Sequence, residues 1–287
     1  MNRNTVKAFV CLAALGGFFV VVGGALAPRG GAALGLALGL VLVSGSYWFS
    51  DRLAVRAARA RPLARGEMPD LEAIVADLAD RAGLPMPRLF VSPAEQPNAF
   101  ATGRGPGHAS VCVTQGALRL LDDDELRGVL AHELSHVANR DILIGSVAAG
   151  VAMGITMVAR MAMFSSFFGG SGRRSNPIGT LAMMVLAPVA AMFLQLALSR
   201  TRELEADRRG ADLLGTGEPL ARALAKIDVA ARQVPMAVGP AQATAYIVNP
   251  LTGREASFAR LFSTHPPTDL RIARLHDETR ALAAHRS

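Results

Sequence analysis

Five consecutive residues, His132-Glu133-Leu134-Ser135-His136, carry the clearest chemistry in this 287-residue sequence. At 3.6 residues per helical turn, the two histidines lie about 40° apart on one face. Their imidazoles can bind a single divalent metal, for which zinc is the best match. Zinc lowers the pKa of a water toward ~7 and polarises a carbonyl, and Glu133 stands close enough to that face to take the water's proton. That is the chemistry of peptide-bond hydrolysis. With six histidines in the chain, a chance match to this pattern is expected in well under about one chain in a hundred.

Two histidines leave a catalytic zinc one protein ligand short. His108, His265, His276, His285 and the carboxylates are the pool to draw on. The most informative stretch is Ser199-Arg-Thr-Arg-Glu203-Leu-Glu205-Ala-Asp207-Arg-Arg-Gly210-Ala211. Glu203 and Asp207 share a helical face with Gly210 and Ala211, whose small side chains let this helix come close to the His132 helix. Glu205 faces elsewhere and has Arg208 and Arg209 at i+3 and i+4, a solvated ion-pair pattern. Glu203 is therefore the expected third ligand, and Asp207 the carboxylate expected to orient an imidazole.

The elements that must hold these residues divide between lipid and water. Hydrophobic residues make up 51% of the chain and charged ones 18%, and mean hydropathy is +0.31. The excess lies in Ala, Leu, Val, Gly and Met, the mix of packed membrane helices. Four apolar stretches stand out, at about 8–27, 31–49, 143–164 and 178–198. Each is about 20 residues, enough to cross a ~30 Å hydrocarbon core. Pro28 and the second apolar stretch follow Ala25-Leu26-Ala27 at once, so an uncleaved helical hairpin is expected there rather than a signal peptide. Arginines cluster on one side of the spans, with Arg29, Arg173 and Arg174 on the other and Arg160 near the end of the third. That bias places both termini and both polar regions in the cytoplasm. The expected divisions are a hairpin at 1–50, a first catalytic part at 51–141, a second hairpin at 142–198 and a second catalytic part at 199–287.

In the polar regions, Leu71, Ile74, Val75 and Leu78 mark an amphipathic helix ending near Gly83. Short strands are expected at 88–92, 98–102 and 110–114, the last two joined by a glycine-rich hairpin loop. They offer an edge to which an extended substrate can add. The motif helix is expected to start near Asp122–Asp124 and to run directly into the third span. Helices at about 199–214 and 217–232 and a final one after Pro267 complete the second region. Cys112 reads as a small buried hydrophobe, and the run of Met153, Met157, Met161 and Met163 as packing.

The sequence resembles the bacterial HtpX-type membrane zinc metalloproteases, relatives of the CaaX prenyl-protein endopeptidases. The resemblance rests on Met1-Asn-Arg-Asn4, Asn98-Ala-Phe-Ala-Thr-Gly103, His132–His136, Ser199–Asp207 and Thr264-His265-Pro-Pro267, in that order along nearly the whole chain. It implies a mainly α integral membrane protein: four transmembrane helices plus a cytoplasmic α+β zincin-like (gluzincin) metalloprotease domain with a small β-sheet. It implies one zinc per chain on His132, His136 and Glu203, with Glu133 as base. It also implies quality control of membrane proteins under stress, at the inner membrane. Leu204 departs from the pattern, where an aromatic is more usual.

Asn98, Asp207, His265 and Arg271 are further candidates for orienting a ligand or touching substrate. His265, before two prolines, could reach a substrate oxyanion or merely enter the last helix. Membrane-protein or peptide substrates and the lipid bilayer are the expected partners. Nucleic acid is not, despite a pI of 10.5, because the arginines flank apolar segments and do not line one face. The nearest rival enzyme is a CaaX-type prenyl-protein processing peptidase, whose relatives enclose a chamber with more spans. A metal-binding scaffold or transporter needs several polar residues inside the spans, and only Arg160 qualifies.

Overall fold

The computed structural model of the chain describes residues 29–143, 200–234, 246–248 and 266–284, together with Gly145 and scattered positions between 13 and 24. Most of the expected first span, nearly all of the third, the whole of the fourth and His265 lie outside the described residues.

A helix of 27 residues, α1 (Gly31–Ala57), opens the described chain. Its apolar part, Gly31–Phe49, is among the described residues the one helical stretch long and apolar enough to cross a bilayer, and only 12% of it is buried. The helix does not stop at the last aromatic. It continues through Asp51–Ala57, so that the apolar stretch and the polar residues after it share one continuous helix.

Then follow β1 (Arg61–Pro62), α2 (Pro69–Arg81), β2 (Arg88–Ser92), β3 (Ala99–Gly103) and β4 (Ala109–Thr114). The sheet order is β1-β2-β4-β3. β2 runs parallel to β4, pairing Phe90 with Cys112, while β3 runs antiparallel to β4, pairing Ala101 with Val111. β3 therefore stands at an edge. The amphipathic face of α2 is buried through Leu71, Ile74, Val75 and Leu78.

A short helix, α3 (Gln115–Leu120), leads to the motif helix α4 (Asp123–Ala138). Asp122 starts α4 with a capping box: its side chain accepts from the Glu125 N–H at 2.8 Å, and the Glu125 carboxylate accepts from the Asp122 N–H at 3.1 Å. Val129, Leu130 and Leu134 are fully enclosed in the main core. Each such side chain contributes about 1.5–3 kcal/mol.

The C-terminal part supplies α5 (Arg200–Leu214), α6 (Glu218–Gln233) and α7 (Thr268–Ala284). α5 and α6 pack on α4, and α7 packs on both of them. Gly210 makes the α5–α4 approach possible, since a Cβ there would stand 3.2 Å from the His132 backbone nitrogen. Lys226 of α6 reaches Glu125 of α4 at 2.7 Å.

The structure corrects one expectation about α4. It does not run straight on toward residue 143. It ends at Ala138, Arg140 adopts a left-handed φ of 60°, and a fresh helical turn begins at Asp141. The break redirects the chain so that the Asp141 side chain turns back toward His136.

Candidate metal centre

α4 presents His132, Glu133 and His136 from one turn and a half of helix, and α5 brings Glu203 to them. His132, Glu133 and Glu203 are buried, at 1%, 3% and 5% exposure. The His132 and His136 Nε2 atoms lie 3.2 Å apart. Glu203 Oε2 is 3.8 Å from His132 Nε2, and Glu203 Oε1 is 3.5 Å from His136 Nε2.

The outer nitrogens explain why the inner ones converge. His132 Nδ1 is 2.8 Å from Asp207 Oδ1, and His136 Nδ1 is 3.3 Å from Asp141 Oδ2. Ionised carboxylates only accept hydrogen bonds, so each Nδ1 carries the proton and donates it. In the neutral imidazoles both Nε2 atoms then turn bare lone pairs toward each other and toward the Glu203 carboxylate. Such a cluster repels itself unless a cation stands between its members. Donors bound tetrahedrally at ~2.0–2.1 Å are about 3.3 Å apart, close to the separations found. The residues present fit a zinc ion on His132, His136 and Glu203.

The ionisation of the groups tells the same story. Burial alone would lower the His136 imidazole, but the carboxylates of Glu203, Asp141 and Glu133 outweigh it and lift it to about 9. The centre draws in positive charge. Burial holds His132 down at about 4, against the pull of Asp207. Burial pushes the Glu133 carboxyl up to about 7, with Glu203 adding to the rise and His136 opposing it. A carboxyl poised there suits a general base near neutral pH.

Glu133 is held by the sheet. The Ala101 N–H, on the outer edge of β3, donates to Glu133 Oε2 at 2.7 Å. The other oxygen, Oε1, is left to handle a proton. Asp207 is held from behind: Arg271 of α7 grips it with Nε at 2.8 Å and Nη2 at 2.7 Å, and donates to the Ile247 carbonyl at 2.8 Å. Burial alone would raise Asp207, but the Arg271 guanidinium and His132 keep it well below the usual carboxylate range. Arg271 thus acts on the centre through Asp207, although its Nη2 also comes to 3.5 Å from His132 Nδ1.

The remaining sequence candidates among the described residues stand apart from this cluster, while His265 and His285 lie outside those residues. Glu205 is on another face of α5, paired with Arg208 at 2.9 Å and Arg209 at 2.8 Å. Asn98 is buried, but its amide donates to the Val248 carbonyl at 2.8 Å and its oxygen accepts from the Ala99 N–H at 3.1 Å. It clips β3 to residues 246–248 rather than reaching the metal donors. His108 is exposed, and His276 pairs with Glu218 at 3.0 Å. Cys112 is enclosed, and burial pushes its thiol up to about 12.

Two participants were missed from sequence. Asp141 carried one usable signal, an acid five residues past the second histidine and just beyond the helix end. The Ala101 N–H carried none, since a backbone donor has no residue type.

Comparison with known proteins follows the same lines. Residues 66–279 match the family model described as Peptidase family M48. A "Protease HtpX homolog" of Pelotomaculum thermopropionicum is 48% identical over 279 residues, covering 95% of this chain and 98% of that one. Another, of Persephonella marina, is 44% identical over 288 residues and covers 98% and 99%. Among solved structures, S. mikatae Ste24p aligns with a TM-score of 0.51 at 19% identity, over 94% of this chain. This chain spans 64% of the Ste24p chain, and at that identity the likeness is one of fold.

Proposed function

The chain belongs to peptidase family M48, and from that premise we propose that it is a membrane-bound zinc endopeptidase cutting misfolded or damaged membrane proteins at the cytoplasmic face of the inner membrane. The observation that carries this reading is the convergence of His132 Nε2, His136 Nε2 and Glu203 beside a buried Glu133. His132, His136 and Glu203 would hold the zinc, which supplies Lewis acidity to a water and a substrate carbonyl.

The chain's own residues do the rest. Asp207 and Asp141 fix the imidazole tautomers and ring directions. Ala101 fixes one Glu133 oxygen, so that the other takes a proton from the attacking water as oxygen bonds to the scissile carbonyl carbon. Glu133 then delivers that proton to the departing amine as the C–N bond breaks. The outer edge of β3 is the natural rail for an extended substrate, because Ala99 and Ala101 turn their backbone groups away from β4. The Ala99 carbonyl already accepts from the Ile247 N–H at 3.2 Å and the Ala101 N–H is taken by Glu133, which leaves the Ala101 carbonyl to accept from a substrate N–H.

Four spans and cytoplasmic termini are part of the proposal, supported by the apolar stretches and the arginine bias. The likeness to Ste24p does not favour prenyl-protein processing, since it is one of fold alone.

The test uses purified zinc-loaded protein in a bilayer with an unfolded membrane protein as substrate, and reads intact masses of the products. Internal cuts at several peptide bonds are expected. A single cut next to a prenylated C-terminal cysteine would instead assign the rival activity. In cells, a reporter after Ser287 should be cytoplasmic and one at Gly170 periplasmic; a cytoplasmic Gly170 reporter would remove the second hairpin from the bilayer.

A further inference from the structure

The apolar part of α1 ends in Tyr47, Trp48 and Phe49, and Trp48 and Phe49 are 56% and 50% exposed. Exposed Arg52, Arg56 and Arg59 follow. Aromatic rings and then arginines is the order of a membrane–water interface. Trp48 is the chain's only tryptophan. The guanidinium of Arg104, from the turn between β3 and β4, lies 4.5 Å from its ring centroid.

The sheet is pinned to the same helix elsewhere. Asp51 pairs with Arg88 of β2 at 2.5 Å. Ser92 donates to the Ala58 carbonyl at 2.7 Å. Ala54 and Ala58 pack on the cluster of Phe100, Cys112 and Tyr246. Gly103, with φ of 136°, closes the turn where a side chain would collide with the His108 carbonyl. The sheet therefore has a set height on the helix, and the β3–β4 turn is level with the end of the apolar span.

We infer that this turn, Gly103–His108, together with the Trp48–Arg52 end of α1, docks on the phosphate layer of anionic phospholipids and holds the catalytic strand against the bilayer surface. The inference rests on the reading that Gly31–Phe49 crosses the membrane. The occupant follows from charge and continuity: the surface extends an apolar span, and Arg52, Arg56, Arg59 and Arg104 give it positive charge. Asp51, the acid in this stretch, is taken by Arg88. Arginine on phosphate is a strong, fork-shaped match.

The consequence reaches the substrate. Ala101, which holds Glu133, is three residues from Arg104, at most about 11 Å along the chain. The headgroup region is about 5–7 Å thick on each side of the hydrocarbon core. Glu133 therefore works within or just outside the headgroup region. The chain segments it meets are those emerging from the bilayer, so the favoured substrates are unfolded juxtamembrane segments of membrane proteins.

The test uses the full-length protein in vesicles of phosphatidylglycerol and phosphatidylcholine, with nitroxide lipids labelled at the headgroup or near the acyl-chain end. Two probes are read: Trp48 emission, and a dye on Gly107→Cys in a Cys11→Ser background. An added side chain at Gly107 meets nothing within 4 Å, and Cys112 is buried. The headgroup nitroxide should quench both probes more strongly than the deep nitroxide, as befits interfacial residues. Arg104→Glu, which sets an anion against the phosphates, should reduce lipid quenching of the dye while leaving that of Trp48. If lipid nitroxides quench Trp48 but only aqueous iodide quenches the dye, the turn stands clear of the bilayer and the inference falls. If lipid nitroxides quench neither, the spanning reading of α1 falls with it. None of these readouts depends on zinc or on cleavage.

Discussion

Glu203→Ala, purified in parallel with the wild type, should come off the column without zinc or bind it more weakly by orders of magnitude. Glu205→Ala, two residues along the same helix, should keep the metal and most of the activity. The two carboxylates are about 200° apart around the axis. Glu203 closes a triangle with the two imidazole Nε2 atoms, at 3.5 and 3.8 Å. Glu205 spends its charge on Arg208 and Arg209, which hold its carboxyl below the usual range, and exposed pairs of that kind are worth little. Asp207 falls between them. Loss of a carboxylate that orients a ligating imidazole costs about 10–100-fold in affinity or activity. Asp207→Ala would also strand the buried Arg271 guanidinium, and removing one partner of a buried pair costs about 3–5 kcal/mol. Asp207→Asn, which keeps an acceptor for His132, is the cleaner variant, with circular dichroism to confirm folding. Zinc content by elemental analysis decides the series. Metal lost from Glu205→Ala and kept in Glu203→Ala would overturn the ligand set.

The second large effect is on turnover with the metal in place. Glu133→Gln should retain about one zinc per chain and lose peptide hydrolysis, because this carboxylate serves the water and the departing amine and not the metal. The amide keeps the shape and can still accept from Ala101, so the fold should be unchanged. General-base catalysis is typically worth about 10²–10⁴-fold, and a loss in that range is expected in kcat/KM. The sign of the pH dependence follows from the same group. Glu133 acts as base only when ionised, and burial raises its carboxyl to about 7. Zinc's positive charge pulls that value down, so wild-type activity should fall as pH drops along a limb lying at or below about 7. Self-cleavage in detergent should stop in the same variant. Wild-type rates in Glu133→Gln would remove it from the mechanism.

How much of this was legible in the sequence depended on whether the signal was local. The motif helix, its capping acids and its apolar stripe sit within one stretch of about 17 residues, where spacing alone defines a face. Glu203 was legible because helical periodicity separates it from Glu205. The strands lie within one residue of their expected bounds, since alternation and glycine punctuation mark them. β1 was not read, because Arg61-Pro62 is two exposed residues at a sheet edge, where proline is tolerated but leaves no pattern. The end of α4 was also misjudged: nothing in Asn139-Arg140 is a strong helix breaker, yet Arg140 takes a left-handed φ and the chain turns so that Asp141 meets His136. Arg271 could be named but not given its role, since its partner Asp207 is 64 residues away. Asn98 could be named but its bond to Val248 could not be foreseen, because residues 246–248, which its side chain holds, look like ordinary loop in the sequence.

The central claim is that one zinc on His132, His136 and Glu203 makes this chain a peptidase. The most direct test is a zinc titration of the chelator-treated wild-type protein, following hydrolysis of an unstructured reporter peptide. Activity should be absent without metal, rise in proportion to zinc and level off at about one equivalent per chain, the stoichiometry of a single catalytic site. Cleavage that persists after zinc is stripped, or that needs a second equivalent, would contradict the account.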